Sequence, residues 1–238
     1  MFMFKEITKR AILMTVLVLS LGVAAGAQNV GFRLSDDRSG FVYLSDEVPD
    51  AVLEIRYFST YNFVGTRIDG YEAPVALMTK EAAAALRRVS DYVMSKGYRL
   101  KIFDAYRPRK AVEHFMRWGR DYSDTLMRFC FYPDKDKRNL FREGYISSRS
   151  AHSRGSTVDL TLLDMKTGQE VDMGSPFDLL GEISHPYSNA VSQEQKNNRM
   201  ILREAMTRFG FRPISTEWWH FTLVGEPYPD THFSFPVK

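Results

Sequence analysis

Two segments, STVDLTLL at 156–163 and WWHFTLV at 218–224, most constrain the fold, because in each of them apolar residues alternate with polar ones. This period-two alternation is typical of β-strands, in which successive side chains point to opposite faces of a sheet. Asp159 and His220 each fall on the face opposite to the apolar residues of their segment. The sequence therefore predicts a sheet with one buried face and one face that presents polar groups to a cleft.

Two further strands and three helices are predicted along the chain. The segments AVLEIRYF at 51–58 and YRLKIFDAY at 98–106 are rich in β-branched and aromatic residues, as strands are. Apolar residues at helical spacing and capping residues predict the helices. These run from Thr79 to Gly97, from Pro108 through 109–121, and from Ser192 to Gly210. Since helices and strands do not alternate regularly, we predict a single α+β domain with helices packed on a mainly antiparallel central sheet.

The N-terminus has the pattern of a secretory signal peptide. Three basic residues precede an apolar run over 11–23, and Ala25 and Ala27 follow with the spacing of a cleavage site. We predict cleavage after Ala27, which removes 1–27 and leaves 28–238 as an exported domain, periplasmic or extracellular, without stable membrane association. An uncleaved anchor is the alternative, but the run is shorter than the ~20 apolar residues of a spanning helix.

Charge and cysteine content exclude some classes of protein. The net charge is +3, and loss of the three basic residues and one acidic residue of 1–27 leaves +1. The densest charged segment, 133–144, alternates in sign, which is typical of a solvated loop and not of a nucleic-acid surface. Cys130 is the only cysteine, so no intrachain disulfide can form. Between Phe129 and Phe131, we expect it to be a buried, inert thiol.

A metal site is predicted where the two polar strand faces meet. The turn SRGS, with Gly155, allows His152 to face the same space as Asp159. Together with His220 they supply two imidazole nitrogens and one carboxylate oxygen, the three-ligand set of a catalytic zinc site. Glu217 is close enough in sequence to act as a general base, provided that it lies on the turn entering the strand, since strict strand geometry puts positions 217 and 220 on opposite faces.

Each histidine also has a simpler interpretation, because a single histidine is more often a hydrogen-bonded core or surface residue than a metal ligand. This interpretation is kept for His114 on the second helix and for His232 near the C-terminus. For His185, which precedes a proline in a polar loop, two alternatives are open. It lines the cleft or it caps a turn.

Three segments, SAHSRGSTVDLTL, EWWHF and DAYRP, together resemble the D-alanyl-D-alanine dipeptidases, which belong to a group of zinc peptidases that also contains D,D-carboxypeptidases. The family pattern Ser-x-His-x-x-Gly-x-Ala-x-Asp is met by Ser150, His152, Gly155 and Asp159. The departure is Thr157, which stands where the family usually has alanine and whose hydroxyl we expect at the cleft. The segments EIRYFSTYNFVG and DMGSPFDLLGEISH also look like those of the family, so that the resemblance covers nearly the whole exported domain.

The resemblance implies a role for each matching residue. One Zn²⁺ ion per chain is held by His152, Asp159 and His220, and Glu217 takes the proton from the zinc-bound water. Arg107, in DAYRP, is expected to stabilise the oxyanion of the tetrahedral intermediate. A surface ion pair is the alternative for this arginine.

The resemblance also implies a substrate, the free dipeptide D-alanyl-D-alanine. Asp178, together with Tyr57, resembles the pair that binds the substrate amine, and Ser150 resembles a substrate contact. A turn-forming aspartate is the alternative for Asp178.

Two alternative functions remain. The first is a D,D- or L,D-carboxypeptidase that trims peptidoglycan stem peptides, and the second is a catalytically silent module that binds wall peptides. The sequence leaves open the oligomeric state, the metal loaded in the cell, the choice between alanine recycling and glycopeptide resistance, and whether 117–149 form a lid.

Overall fold

A five-stranded sheet lies at the centre of the computed structural model, which describes residues 31–238. The predicted signal peptide lies outside the described residues. The strands of the described part are β1 (Arg33–Ser35), β2 (Phe41–Tyr43), β3 (Val52–Leu53), β4 (Leu77–Thr79), β5 (Tyr98–Asp104), β6 (Thr157–Asp164), β7 (Phe211–Pro213), β8 (His220–Leu223) and β9 (Thr231–Phe233). The α-helices of this part are α1 (Leu44–Glu47), α2 (Lys80–Met94), α3 (Arg109–Arg120), α4 (Arg128–Phe131) and α5 (Gln193–Arg208). Short 3-10 turns cover Arg56–Phe58, Lys137–Asn139, Ala151–Arg154 and Glu182–Ser184.

The central sheet has the strand order β3-β5-β6-β8-β7. Its first pair is parallel and the other three pairs are antiparallel. Two small sheets, β1 with β9 and β2 with β4, lie apart from it. This architecture mixes helices and mainly antiparallel strands, in agreement with the predicted α+β class, and it makes β6 the middle strand.

The three longer helices correspond to the three that the sequence predicts. Thr79 caps α2 by accepting a hydrogen bond from the backbone N–H of Ala82, and Ser192 forms a capping box with Gln195 at the start of α5. Helix α3 begins one residue later than predicted, because Pro108 occupies the extended N-cap position and not the first turn. Side-chain caps thus mark the starts of α2 and α5, as the sequence indicated.

The predicted strands are present but differ in extent. Strands β5 and β6 lie close to the predicted bounds, whereas in 51–58 only Val52 and Leu53 pair with the sheet. After them the chain enters a 3-10 turn that places the ring of Tyr57 in the interior, which is incompatible with continued strand pairing. Strand β8 begins at His220, so that Glu217 lies on the bend before it.

The middle strand is buried on both faces, and this corrects one expectation. Thr157 and Thr161 are as fully buried as the leucines that alternate with them. The hydroxyl of Thr157 is 2.9 Å from the hydroxyl of Thr222 on β8, and each can donate to the other. The prediction that Thr157 presents its hydroxyl to the cleft is therefore wrong, because this hydroxyl is used within the sheet.

Cys130 is exposed, so the prediction of a buried thiol is also wrong. Helix α4 has a single turn, and it directs Phe131 into the core while Phe129 and Cys130 face solvent. The flanking aromatic residues misled the prediction because only one of them is buried.

Within residues 31–238, no helix combines the length and the apolar character that crossing a bilayer requires.

Candidate metal centre

The backbone places the three predicted ligands together. Asp159 on β6 and His220 on β8 are directly opposite partners in the antiparallel pair, so their side chains leave the sheet on the same face. His152 comes from the 3-10 turn that precedes β6. Gly155 ends this turn with a φ of 82°, and a Cβ atom at this position would lie 2.2 Å from the ring of Phe41. A glycine is therefore required both by the backbone and by the space.

The ligand atoms of these residues converge on one point. Nε2 of His152 lies 3.2 Å from Oδ2 of Asp159 and 3.2 Å from Nδ1 of His220. Nδ1 of His220 lies 3.1 Å from Oδ1 of Asp159. One atom from each residue lies within 4.8 Å of the others, and all three residues are buried. This is the spacing of a group that can hold a metal ion.

The tautomer of His152 follows from its other nitrogen. Nδ1 lies 2.8 Å from the backbone oxygen of Ala105, and a carbonyl oxygen can only accept a hydrogen bond. The proton is therefore on Nδ1, and Nε2 presents a lone pair to the centre. Such a contact to a backbone carbonyl also fixes the orientation of the ring, as it does in metal-ligating histidines generally.

The charge states of Asp159 and His152 suit a cation. Burial by itself would raise the pKa of the Asp159 carboxyl, but His152 and His220 beside it outweigh burial and hold this pKa well below its ordinary value. Burial lowers the pKa of His152. Burial also opposes the charged form of His220, but the carboxylates of Asp159 and Glu217 outweigh it and raise the pKa of this histidine as long as no cation competes for them. An ionised carboxylate and a neutral imidazole are the forms that bind metals.

One atom of the centre is short of a partner. Oδ1 of Asp159 is buried, and no donor in the described part of the chain makes a hydrogen bond of acceptable geometry to it. A buried charged oxygen in this position is costly unless something compensates it. The donor set of two imidazoles and one carboxylate, with this oxygen, fits a divalent metal ion such as zinc.

Glu217 lies beside the centre, at the bend that the sequence analysis required. Its Oε2 is 3.5 Å from Nδ1 of His220. Burial raises the pKa of Glu217, and the negative charge of Asp159 adds to this, while His220 and Arg107 oppose it. A carboxyl with a raised pKa holds a proton more readily than an ordinary one, as a group that accepts and then returns a proton must.

Arg107 reaches the same space from the segment between β5 and α3. Its Nη2 lies 3.5 Å from Oδ2 of Asp159, and its Nε donates to Oδ2 of Asp104 at 2.9 Å. Tyr71 donates to the other oxygen of Asp104 at 2.6 Å. Arg107 is therefore fixed by a buried carboxylate and is not a surface residue.

Asp104 and Tyr71 were missed by the sequence analysis. Asp104 lies three residues before Arg107, and it is the last residue of an otherwise apolar-rich strand. A charged residue at the end of a strand, three positions before a predicted site arginine, is the signal that was available for Asp104. Tyr71, in an irregular loop, gave none.

Asp178 is placed near the centre by a loop. Its carboxylate accepts a hydrogen bond from the hydroxyl of Tyr57 at 2.9 Å, and both side chains are buried. Burial raises the pKa of Asp178 well above its ordinary value, and the charge of Asp159 adds to the shift. Asp178 has a φ of 64°, and no other residue of the described part except glycines has a positive φ.

A cavity of about 240 Å³ opens onto the metal centre. This is smaller than the ~300–1,000 Å³ of pockets for drug-sized ligands, so the cavity suits a small ligand. All the predicted site residues line it, and these are Tyr57, Arg107, Ser150, His152, Asp159, Asp178, Glu217 and His220. Residues 144–147 and Arg149 form part of its wall, so the C-terminal end of the proposed lid segment borders the cavity.

The other histidines lie elsewhere. Nδ1 of His114 contacts Asp69, and His232 stacks on Phe32 with 3.8 Å between ring centroids. His185 lines a separate cavity that shares Glu217 with the first, and it follows the 3-10 turn Glu182–Ser184. None of these three belongs to the group of ligand atoms around Asp159.

Known proteins resemble this chain along most of its length. The family described as D-ala-D-ala dipeptidase matches residues 37–238. A D-alanyl-D-alanine dipeptidase of Enterococcus faecalis is 40% identical over 200 residues, which are 84% of this chain and 99% of the relative. A protein of the same name from Streptomyces coelicolor is 39% identical over 83% of this chain and 98% of its own length. One from Escherichia coli is 36% identical over 79% of this chain and 86% of its own length.

Proposed function

Because the chain belongs to the D-ala-D-ala dipeptidase family of metallopeptidases, we propose that it hydrolyses free D-alanyl-D-alanine to two D-alanines at a single zinc ion. The observation that carries this proposal is that one small cavity is lined both by a group that can bind a metal cation and by a pair that can bind the amine of a substrate. The group His152, Asp159 and His220 suits a metal, and the buried pair Tyr57 and Asp178 suits an ammonium.

Each residue around the metal centre has a separate role in the proposed reaction. His152, Asp159 and His220 would hold the zinc ion, which would supply Lewis acidity that lowers the pKa of water to about 7. Glu217 accepts the proton of the attacking water and delivers it to the departing amine, since a general base that receives a proton can return it as an acid. The guanidinium of Arg107, fixed by Asp104, stabilises the negative charge that develops on the carbonyl oxygen.

Recognition of a free dipeptide requires a negative group for its ammonium. Asp178 supplies this group, and Tyr57 orients the carboxylate by a hydrogen bond. Ser150, at the cavity wall, contacts the substrate. An acidic group buried in a small cavity disfavours a substrate whose amine is already in an amide bond, because the amide cannot neutralise the charge.

The cellular place of the reaction is part of the same proposal. The pattern of 1–27 supports export with cleavage after Ala27, and the substrate belongs to the turnover of cell-wall peptides. Peptidoglycan stem peptides, which end in the same two residues, are the substrate of the alternative carboxypeptidase function. The size of the cavity and the buried Asp178 favour the free dipeptide.

The experiment compares two substrates with protein purified after expression of the full chain and loaded with zinc. Free D-Ala-D-Ala and a muropeptide pentapeptide that ends in D-Ala-D-Ala are incubated separately, with Glu217→Ala as the blank, and alanine release is measured. Cleavage of the dipeptide alone supports the proposal. Release of one alanine from the pentapeptide would assign the protein to the carboxypeptidases, and no release from either, with zinc bound, would leave the silent binding module.

N-terminal sequencing and metal analysis of the same preparation test the two remaining parts. We expect the purified protein to begin at Gln28 and to contain one zinc ion per chain. An N-terminus at Met1 in the membrane fraction would instead support the uncleaved anchor.

A further inference from the structure

Arg199 on α5 carries a buried charge outside the metal centre. Its side chain is 1% exposed, and all of its hydrogen-bond acceptors belong to the irregular segment 173–185. The acceptors are Met173 O at 2.6 Å from Nε, His185 O at 2.7 Å from Nη1, and Ile183 O at 3.0 Å and Ser175 Oγ at 3.4 Å from Nη2. All four are neutral oxygens. One side chain therefore joins both ends of this segment to the helix.

A buried guanidinium that contacts only neutral oxygens lowers the stability of the fold, so a functional reason for it is expected. Burial lowers the pKa of Arg199 to about 10, because the guanidinium has lost its hydration. An apolar side chain on α5 would avoid this cost. What the guanidinium provides instead is a planar, rigid set of donors that fixes several acceptors relative to one another.

The anchored points lie on both sides of Asp178. The hydroxyl of Ser175 is 3.3 Å from that of Ser184, which in turn donates to the backbone oxygen of Leu179 at 2.6 Å. Asp178 lies between these points with its positive φ. Aspartate enters this conformation more readily than most non-glycine residues, and contacts on both sides keep it there.

The same network reaches the bend that carries Glu217. The indole N–H of Trp218 donates to the hydroxyl of Ser175 at 2.9 Å. The backbone N–H of Trp218 donates to the backbone oxygen of Ser184 at 3.0 Å. Trp218 directly follows Glu217 in the chain. Asp178 and Glu217 are thus fixed relative to each other through two residues that Arg199 helps to hold.

We infer that Arg199 is a positioning residue that sets the place of Asp178 opposite Glu217 and thereby the affinity for a substrate with a free ammonium. This inference rests on the proposed function. Arg199 itself lies outside the wall of the active cavity and touches no ligand atom of the metal centre. Its effect on the reaction passes through the segment 173–185.

The test compares Arg199→Lys, which keeps the charge but not the planar fork, with Leu202→Ala as a control. Leu202 lies on the same helix, is fully buried, and packs in the hydrophobic core. We expect Arg199→Lys to raise the KM for D-Ala-D-Ala about tenfold, the effect of losing one oriented interaction with a charged group, while kcat changes much less. Leu202→Ala is expected to lower the Tm and leave the KM unchanged.

Two further readouts separate positioning from general loss of stability. In an Asp178→Asn background, Arg199→Lys is expected to have no additional effect on the KM, because the group it positions is gone. Amide hydrogen exchange in 173–185 is expected to become faster in Arg199→Lys and to remain as in the wild type in Leu202→Ala. Ser175→Ala removes one link without removing the buried charge. It is expected to act in the same direction more weakly, and it replaces Arg199→Lys in both readouts if that variant does not fold.

An equal KM change in the Asp178→Asn background, or unchanged exchange in 173–185, would overturn the inference. If the wild-type protein does not cleave D-Ala-D-Ala, the proposed function fails. The exchange measurement, which needs no turnover, then still decides whether Arg199 holds the segment around Asp178.

Discussion

The metal centre and the loop that carries Asp178 line the same cavity, but they are supported in different ways. Asp159 and His220 are fixed by the ladder of backbone hydrogen bonds between β6 and β8. Asp178 lies in a segment without strand pairing of its own, where side chains of Arg199 and Trp218 bond to the backbone and to Ser175. Two of the three proposed metal ligands thus depend on regular structure, and the proposed contact to the substrate ammonium depends on a few side-chain contacts.

This difference has a physical consequence. A central strand with two neighbours opens only when much of the fold opens, whereas a segment held by side-chain bonds can move alone. Substitutions near the sheet should therefore change metal binding, catalysis and global stability together. Substitutions near the loop should change substrate affinity with less effect on the rest of the molecule.

The largest effect is expected beside the metal centre, from Glu217→Gln, although Glu217 lies on the bend before β8 and not in the sheet itself. The amide keeps the shape of the side chain but cannot accept the proton, so kcat should fall by roughly 10²- to 10⁴-fold. Zinc content should be unchanged, because Glu217 is not among the ligand atoms. Steady-state kinetics and metal analysis of the purified variant test this, and a kcat within tenfold of the wild type would contradict the assigned role.

On the loop side, Asp178→Asn should raise the KM for D-Ala-D-Ala about 10- to 100-fold, since a charge-assisted interaction with the ammonium is lost. The backbone should tolerate the change, because asparagine accepts the positive φ of this position readily. We expect kcat to change much less than in Glu217→Gln. A fall in kcat with an unaltered KM would mean that Asp178 acts in the chemical step and that the two regions are not functionally distinct.

Gly155→Ala tests whether the turn before β6 shares the rigidity of the sheet. The variant meets both the strain of a positive φ and a clash with Phe41, so the free energy of unfolding should fall by more than the ~1–3 kcal/mol of backbone strain alone. Gly168→Ala is the matched control, because Gly168 has a φ of 71° and no other atom within 4 Å of the added carbon. Denaturant unfolding of both variants gives the comparison, and equal losses would show that the turn adapts.

The smallest effect concerns the pH dependence of stability. The pKa of Asp178 is raised in the folded state, so the folded protein binds the proton more tightly than the unfolded chain does. The contribution of Asp178 to stability is therefore fully present below the ordinary aspartate pKa of about 3.9 and is lost as the pH rises through the raised value.

Asp178→Asn removes this ionisation, and the variant should therefore gain Tm relative to the wild type as the pH increases above the ordinary aspartate pKa of about 3.9. Thermal unfolding of both proteins at a series of pH values measures the difference. A constant difference across the series would show that the carboxyl ionises with an ordinary pKa. A gain in stability together with a loss of affinity would mark Asp178 as a residue kept for function.

Regular structure and the group of residues that could hold a metal could be predicted from the sequence because their signals are local. The alternation around Asp159 and His220 indicates both the strands and the face on which these residues lie. Capping residues such as Thr79 and Ser192 indicate the ends of helices for the same reason. The resemblance of short segments to the dipeptidase family supplied the proposed roles of Arg107 and Asp178, which no periodicity indicates.

Only the tertiary structure decided the contacts between residues that are distant along the chain. The bond of Tyr71 to Asp104 and the bonds of Arg199 to the segment 173–185 join a loop or a helix to a site far away in sequence. The exposure of Cys130 and the burial of Thr157 depend likewise on what packs against them. Local patterns show which side of an element a residue occupies. What covers that side is determined by the packing of the whole chain, and packing leaves no periodic signal in the sequence.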